Sequence, residues 1–265
     1  MKAEEMSNEF DALWNTFVTE DPNNTALQGV VFDEYEKSLF LTKAQEELVR
    51  MLYTGRAMPI GPFEKTEETR RALSKLVKTV VITDGSQKPD KDGVIALSDT
   101  SIFYTLPSDL MYITYESVTL NGPDCYAGDR FEVIPCTQDE YHRISKNPFR
   151  GPNKRRVLRL DTTWGQAELI CSFGAMYIKS YLVRYVRKPK PIILADLPTS
   201  SGYNVSIDGE TAKTSYGDSK SCCELEESVQ RMILDNAVQM AVKSKLALRG
   251  QQQKQQKSQD EDQGQ

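Results

Sequence analysis

The stretch MYIKSYLVRYVRKPKPIIL, residues 176–194, decides how this chain is read. Tyr177, Lys179, Tyr181, Val183 and Tyr185 fall on one side, with Ile178, Leu182, Arg184 and Val186 on the other. A period of two places successive side chains on opposite faces of a sheet, so the spacing predicts a strand with one core face. Pro189 and Pro191 end it, because a proline has no N–H to give to a central ladder.

Upstream, TVVITDG, GVIALSDTSIFYTLP, LMYITYESVTL, DRFEVIPC, VLRLDTT and AELICSF share this character. They are short, β-branched and aromatic, and Gly, Pro or Asp separates them. Together they predict an antiparallel β domain over residues 78–197.

The period changes on both flanks. Phe10, Leu13, Trp14 and Phe17 recur at helical spacing, and Asp21-Pro22-Asn23-Asn24 supplies a turn. Asp33 with Glu36 three residues later has the form of a capping box, Tyr35, Leu39, Ala44, Leu48 and Leu52 form a stripe, and Gly55 is a stop. Thr66, Glu67 and Glu68 open a third helix, with acids where the helix dipole favours them and Leu73, Leu76, Val77 and Val80 as its core face. Residues 198–223, rich in Ser, Thr and Gly, predict a loop with one hairpin near Asp208-Gly209. Val229, Ile233, Ala237 and Met240 then line a helix over 224–249, and the Gln-rich residues 250–265 hold too little apolar surface to order themselves. The expected fold class is α+β. A helical region at 1–77 and the C-terminal helix form one bundle, and the central antiparallel β domain stands between them.

Composition narrows the function. No apolar run reaches the roughly 20 residues of a membrane span, and MKAEEMSNEF lacks a signal-peptide core, so folding in the cytosol is expected. Five cysteines, Cys125, Cys136, Cys171, Cys222 and Cys223, form no C-x-x-C pair, and His142 is the single histidine, which predicts reduced thiols and no metal site. None of the usual nucleophile, phosphate-loop or dinucleotide motifs occurs, so neither an enzyme nor a bound cofactor is expected.

Charge is the strongest signal. Residues 141–194 hold twelve basic side chains against Asp161 and Glu168, inside a chain of net charge −5, so the remainder has a net charge of −15. Arg143, Lys146, Phe149, Arg150, Lys154, Arg155, Arg156 and Arg159 lie in a predicted basic loop at 141–160, and Arg187, Lys188 and Lys190 follow. These are the candidate protein-docking residues. One reading is a nucleic-acid-binding block at 141–190, with Phe149, Tyr177, Tyr181 and Tyr185 stacking on bases. The overall acidity opposes it, since long-range attraction to phosphate would be poor. A solvated loop with charged edge strands is the plainest alternative. Docking of one copy's positive block on a neighbour's acidic surface fits the segregation better, and head-to-tail contacts of that kind can close into rings.

Five segments also carry a resemblance: FDEYEKSLFLTKAQEELV (32–49), TLPSDLMYITYESV (105–118), YHRISKNPFRGPNKRRVLRLD (141–161), VRYVRKPKPIIL (183–194) and CELEESVQRMILDNAVQMA (223–241). In this order, between Asn8 and Lys243, they resemble head–tail connector proteins of crAss-like and related tailed phages of Bacteroidota. The resemblance implies a virion structural protein, an adaptor ring stacked on the portal and typically a dodecamer. Its partners would be further copies, the portal, and tail or other ring proteins, with assembly in the host cytoplasm. Packaged DNA would pass through without specific binding, and no enzymatic role is implied. Similar chains carry proline at the position of Glu226 and histidine near Gln230, differences that touch a helix cap rather than a site.

Overall fold

The computed structural model describes residues 1–20, 27, 29–55, 67–89, 95–121, 128–153, 156–163, 165–172, 178–195, 199–200, 203–204, 207–208 and 223–262. The turn expected at 21–24, the helix start at Thr66, Cys125, Lys154, Arg155, Tyr177, Gly209, Cys222 and most of the 198–223 loop lie outside these residues. In chain order the elements are α1 (Ala3–Glu20), α2 (Glu34–Thr54), α3 (Glu67–Leu73), β1 (Val77–Ile82), β2 (Ser101–Thr105), β3 (Leu110–Leu120) and β4 (Arg130–Pro135). There follow α4 (Gln138–Ser145), β5 (Arg156–Thr163), β6 (Gln166–Ile170), β7 (Ile178–Arg187), β8 (Thr199–Ser200), β9 (Tyr203–Asn204) and α5 (Glu227–Asp262). The fold is α+β and divides into two units: Met1–Leu76 with Pro189–Gln265, and Val77–Lys188.

The helical unit packs α1, α2 and α5 together. Asp33 caps α2 by accepting the Glu34 N–H at 2.8 Å, and Gly55 ends it in the left-handed conformation at φ 74°. Phe10, Trp14 and Phe40 stand edge-on around Phe32 at ring distances of 5.6, 4.7 and 5.9 Å. Val229, Ile233, Leu234, Ala237, Val238 and Ala241 form the buried face of α5. Full burial of each larger side chain contributes about 1.5–3 kcal/mol. Lys245 of α5 reaches Glu36 at 3.2 Å and lies 4.9 Å from the Phe32 ring centroid. Buried Lys37 joins α1 to α2 through Asp11 at 2.7 Å and Ser7 at 3.0 Å. Burial alone would lower its pKa, but the Asp11 and Glu34 carboxylates raise it.

Pro189 begins the return from the β unit, and residues 190–194 lie along α2 without joining a sheet. The Lys190 N–H donates to Glu224 at 3.0 Å, that of Ile192 to the Thr42 hydroxyl at 3.1 Å and that of Leu194 to Ser38 at 3.1 Å. Gln45 donates to the Lys190 carbonyl at 3.1 Å. Ser38, Thr42 and Gln45 share one helix face. Four residues of helix rise about 6 Å and two of extended chain about 6.6 Å, so the partners stay in step.

The β unit is one mixed sheet of seven strands among the described residues, in the order β1-β7-β3-β4-β5-β6-β2. It is not wholly antiparallel, as the strand pattern had suggested: β4 and β5 run parallel, Glu132 beside Arg156. Parallel neighbours need a crossover, and α4 supplies it. The sheet curls until Ser86, after β1, exchanges backbone hydrogen bonds with Phe103 of β2 at 2.9 and 2.7 Å. Gly85 allows this closure, since a Cβ there would stand 2.5 Å from the Ile102 side chain. Tyr104, Val118, Phe131, Val133, Leu169, Tyr181, Val183 and Tyr185 are among the side chains filling the interior.

Other expectations need correction. Val77 and Val80 belong to β1, not to the third helix, because a 3-10 turn at Ser74–Leu76 ends the helical run. The β unit ends at Lys188 rather than 197, since the following backbone is held by α2. The hairpin lies at β8–β9, ahead of Asp208, which has φ 50°. α5 continues through Gly250 to Asp262 where a disordered tail was expected. Gln and Lys are good helix formers, and elongation adds one hydrogen bond per residue once the packed turns have formed.

Thr42→Val keeps the shape of the side chain but leaves the Ile192 N–H without its acceptor. A loss of about 1–3 kcal/mol is expected, read as a lower urea midpoint at unchanged slope. An unchanged midpoint would show that this backbone finds another partner.

Candidate docking surfaces

Residues 141–160 are not one loop. They comprise most of α4, a connection and the start of β5. Acids Asp139 and Glu140 occupy the first turn of α4, and His142 and Arg143 the last, as a helix dipole favours. Tyr141 anchors the helix in a cluster with Leu158, Leu160 and Ile170, flanked by Ile134, Cys136 and Ile144. With only Tyr141 and Ile144 as apolar residues, α4 is too short to show a period, and its acid-to-base order was the available signal. His142 is exposed and its ring lies 5.8 Å from that of Tyr141, with no catalytic partner assembled around it among the described residues.

The connection has a defined tip. The Asn147 side-chain oxygen accepts the N–H groups of Phe149 at 2.9 Å and Arg150 at 3.3 Å, and its carbonyl accepts the Gly151 N–H at 2.7 Å. Gly151 is buried, and a Cβ there would stand 2.8 and 2.9 Å from the Asn147 and Ser145 carbonyl oxygens. Arg156 donates to the Phe149 carbonyl at 2.7 Å. These bonds hold the backbone while the Phe149 side chain stands 84% exposed. Lys146 and Arg150 are exposed beside it, and Arg143 pairs with Glu140 at 2.9 Å.

Arg159 differs from the other cations of the block in being largely buried: it is 9% exposed, its Nη1 donates to Glu116, and its Nε lies 3.2 Å from Asp161. The second Glu116 oxygen accepts the Tyr181 hydroxyl at 2.5 Å. Burial would lower the Arg159 pKa, but Glu116 and then Asp161 hold it above its ordinary value. Burial, followed by Glu116, pushes the Tyr181 phenol far up.

This ion pair floors a groove of about 770 Å³ at one mouth of the curled sheet. Leu106, Pro107, Leu110, Met111 and Ile113 form its apolar wall, and Asp161 stands at the floor with its side chain 66% exposed. Sequence periodicity could not locate this groove, because it depends on strand ends brought together by the sheet order.

The register places the two features apart. Arg187 pairs with Leu110, so the end of β7 lies where β3 begins. Glu132 pairs with both Ser117 and Arg156, which puts the start of β5 toward the other end. The Phe149 tip therefore precedes β5 at one end of the sheet, while the groove and Arg187 lie at the other. Lys190 belongs to the helical unit. The basic block is thus divided, and Tyr181 and Tyr185 are core residues at 0% and 2% exposure, so they cannot stack on bases.

Among the described residues no group of three or more His, Cys, Asp or Glu could hold a metal, and no helix is long and apolar enough to cross a membrane. Among the described residues, Cys136, Cys171 and Cys223 are not in disulfides.

Comparison with known proteins gives the family. The model of phage tail ring protein 3/4 matches residues 1–254. Ring protein 3 of Bacteroides phage crAss001 is 42% identical over 254 residues, 94% of this chain and 99% of that protein. Ring protein 4/5 of the same phage is 31% identical over 245 residues, 91% of this chain and 92% of that protein.

Two outcomes follow from the buried charges and phenols. Arg159→Met, which leaves Glu116 buried without its cation, should cost about 3–5 kcal/mol in chemical unfolding. A docking residue would instead lose assembly at unchanged stability. Tyr104 is pushed up to about 12 by burial, and Tyr185 to about 12 by burial and then Asp109. A phenol raised above its unfolded value of about 10 contributes stability that is full below that pH and is lost as pH rises through the folded value. Phenolate absorbance should therefore appear in two steps, with the buried fraction released on alkaline unfolding. A single step near the ordinary value would contradict the assigned burial.

Proposed function

The chain belongs to the phage tail ring protein 3/4 family, and we propose that this ring structural protein of a crAss-like phage joins the portal to the tail. In this reading the ring is a dodecamer that continues the channel for packaged DNA without binding DNA specifically. Its neighbours are the portal and further ring or tail proteins, it is added in the host cytoplasm, and its role is structural rather than catalytic.

The carrying observation is the near end-to-end match to two ring proteins of one phage, at 99% and 92% of their lengths. Two related ring proteins of one phage fit a stack of rings, each layer using the same fold to meet a similar layer. The division of the basic residues supports this, because charge at separate ends of one sheet can serve more than one contact. Rim charges set register and association rate, while a buried aromatic supplies affinity. We assign docking to Phe149 with Lys146 and Arg150, and rim roles to Arg143 and Arg156. Lys154 and Arg155 stay in the proposed docking set from the sequence, Arg187 and Lys188 are proposed for a separate contact at the groove end of the sheet, and Lys190 for one on the helical unit.

Lys146→Glu with Arg150→Glu changes exposed charges only, so melting of the purified chain should be unchanged. Incorporation into particles, measured by mass spectrometry of purified virions, should be lost. Normal incorporation would exclude these cations from docking. A particle reconstruction placing the chain away from the portal–tail axis would overturn the connector role.

A further inference from the structure

The β unit carries an exposed knob and an open socket at opposite ends of the same sheet. The knob is Phe149, its ring in solvent and its backbone fixed by Asn147, Gly151 and Arg156. A prearranged aromatic loses little conformational freedom on docking, and side chains of this kind dominate interface energies. The socket is the groove walled by Leu106, Pro107, Leu110, Met111 and Ile113, whose 770 Å³ falls in the range of sites that enclose a small guest.

The charges also match. Among the described residues lining the groove, Glu116 and Asp161 face one cation, Arg159, which leaves one negative charge in excess in that lining. Glu116 is occupied by Arg159 and Tyr181, so the outward carboxylate is that of Asp161. The knob carries Arg150 next to Phe149. An aromatic entering the groove would thus bring a guanidinium toward an exposed carboxylate, a pairing suited to bidentate hydrogen bonds.

Neither feature can complete the contact within its own sheet, because the register sets them at opposite ends. They are complementary but not equivalent, so a contact between copies is head-to-tail and repeats with one sense. Such contacts generate rings when the rotation closes. We propose that the groove of each subunit receives Phe149 and Arg150 of the neighbouring copy, making this the lateral contact of the ring. The proposal rests on the ring reading above and names the surfaces that carry it. A Phe buries only about 150–250 Å², so this contact is the anchor of a wider interface.

The test uses particles assembled with Pro148→Cys and Ser108→Cys in the full chain, which keep Phe149 and Met111, treated with a flexible bismaleimide and run on reducing gels. A ladder of covalent multimers of this chain is expected, absent from either single variant. Mass spectrometry should place the link between positions 148 and 108 of different copies, using mixed isotopic labels. Linkage of position 148 to another protein, or no ladder although the chain is present, overturns the proposal and leaves the ring reading standing. Absence of the chain from wild-type particles removes the ring reading itself. As a second measurement, Phe149→Ala and the groove-filling Met111→Trp should each lower incorporation at least about tenfold, whereas Phe149→Tyr should not. Normal incorporation of both disruptive variants would overturn the contact.

Discussion

A buried backbone must have hydrogen-bond partners, and the chain between the two units meets this requirement on a helix. After β7, Pro189 and Pro191 remove two donors, so one edge of residues 190–194 cannot support a ladder. The N–H groups of Lys190, Ile192 and Leu194 remain, and Glu224 and two hydroxyls of α2 accept them. Thr42 also donates to the Ile192 carbonyl at 3.4 Å, so one side chain serves both polar groups of that residue. An unmet amide here would cost about as much as a sizeable share of a domain's net stability. The segment is therefore held in one register along α2.

The β unit has its own constraint in Glu116, Arg159 and Tyr181. A buried ion pair is weak support for stability, because desolvation offsets much of the attraction. Its stronger consequence is positional. Glu116 lies on β3 and Arg159 on β5, with β4 between them, so a slip of either strand would leave a charge alone in an apolar interior. The pair thereby fixes the mixed register around β4 and sets the polar floor of the groove.

Against this structure, the sequence is legible where a period is long and one face is buried. Helices α2 and α5, β3, β7 and the Asp33 and Gly55 caps could be read directly, since the pattern that encodes them is the pattern that buries them. The buried polar residues could not. Ser38, Thr42 and Gln45 read as solvent-facing interruptions of an apolar stripe, yet each is buried because its partner lies about 150 residues away. α4 was hidden by its length, and the parallel pairing of β4 with β5 by its crossover. Arg159 shows the limit most clearly. Among so many cations it reads as part of a basic surface, and only the fold sets Glu116 against it. Within the basic block, composition could not separate surface cations from core ones.

Sheet order turns a run of charge into directional surfaces. Had the basic residues stayed in one loop, each subunit would carry a single positive face that a broadly acidic body could meet in many orientations. Here the Phe149 tip is carried to the start of β5, while Arg187 reaches the end of β7 beside the groove. With net charge −5, copies repel weakly at long range, and screening confines the tip's attraction to about 8 Å at physiological salt. Attraction therefore acts only after two subunits are already oriented. Such a chain can remain dispersed in free solution and still associate once its neighbours are held in place.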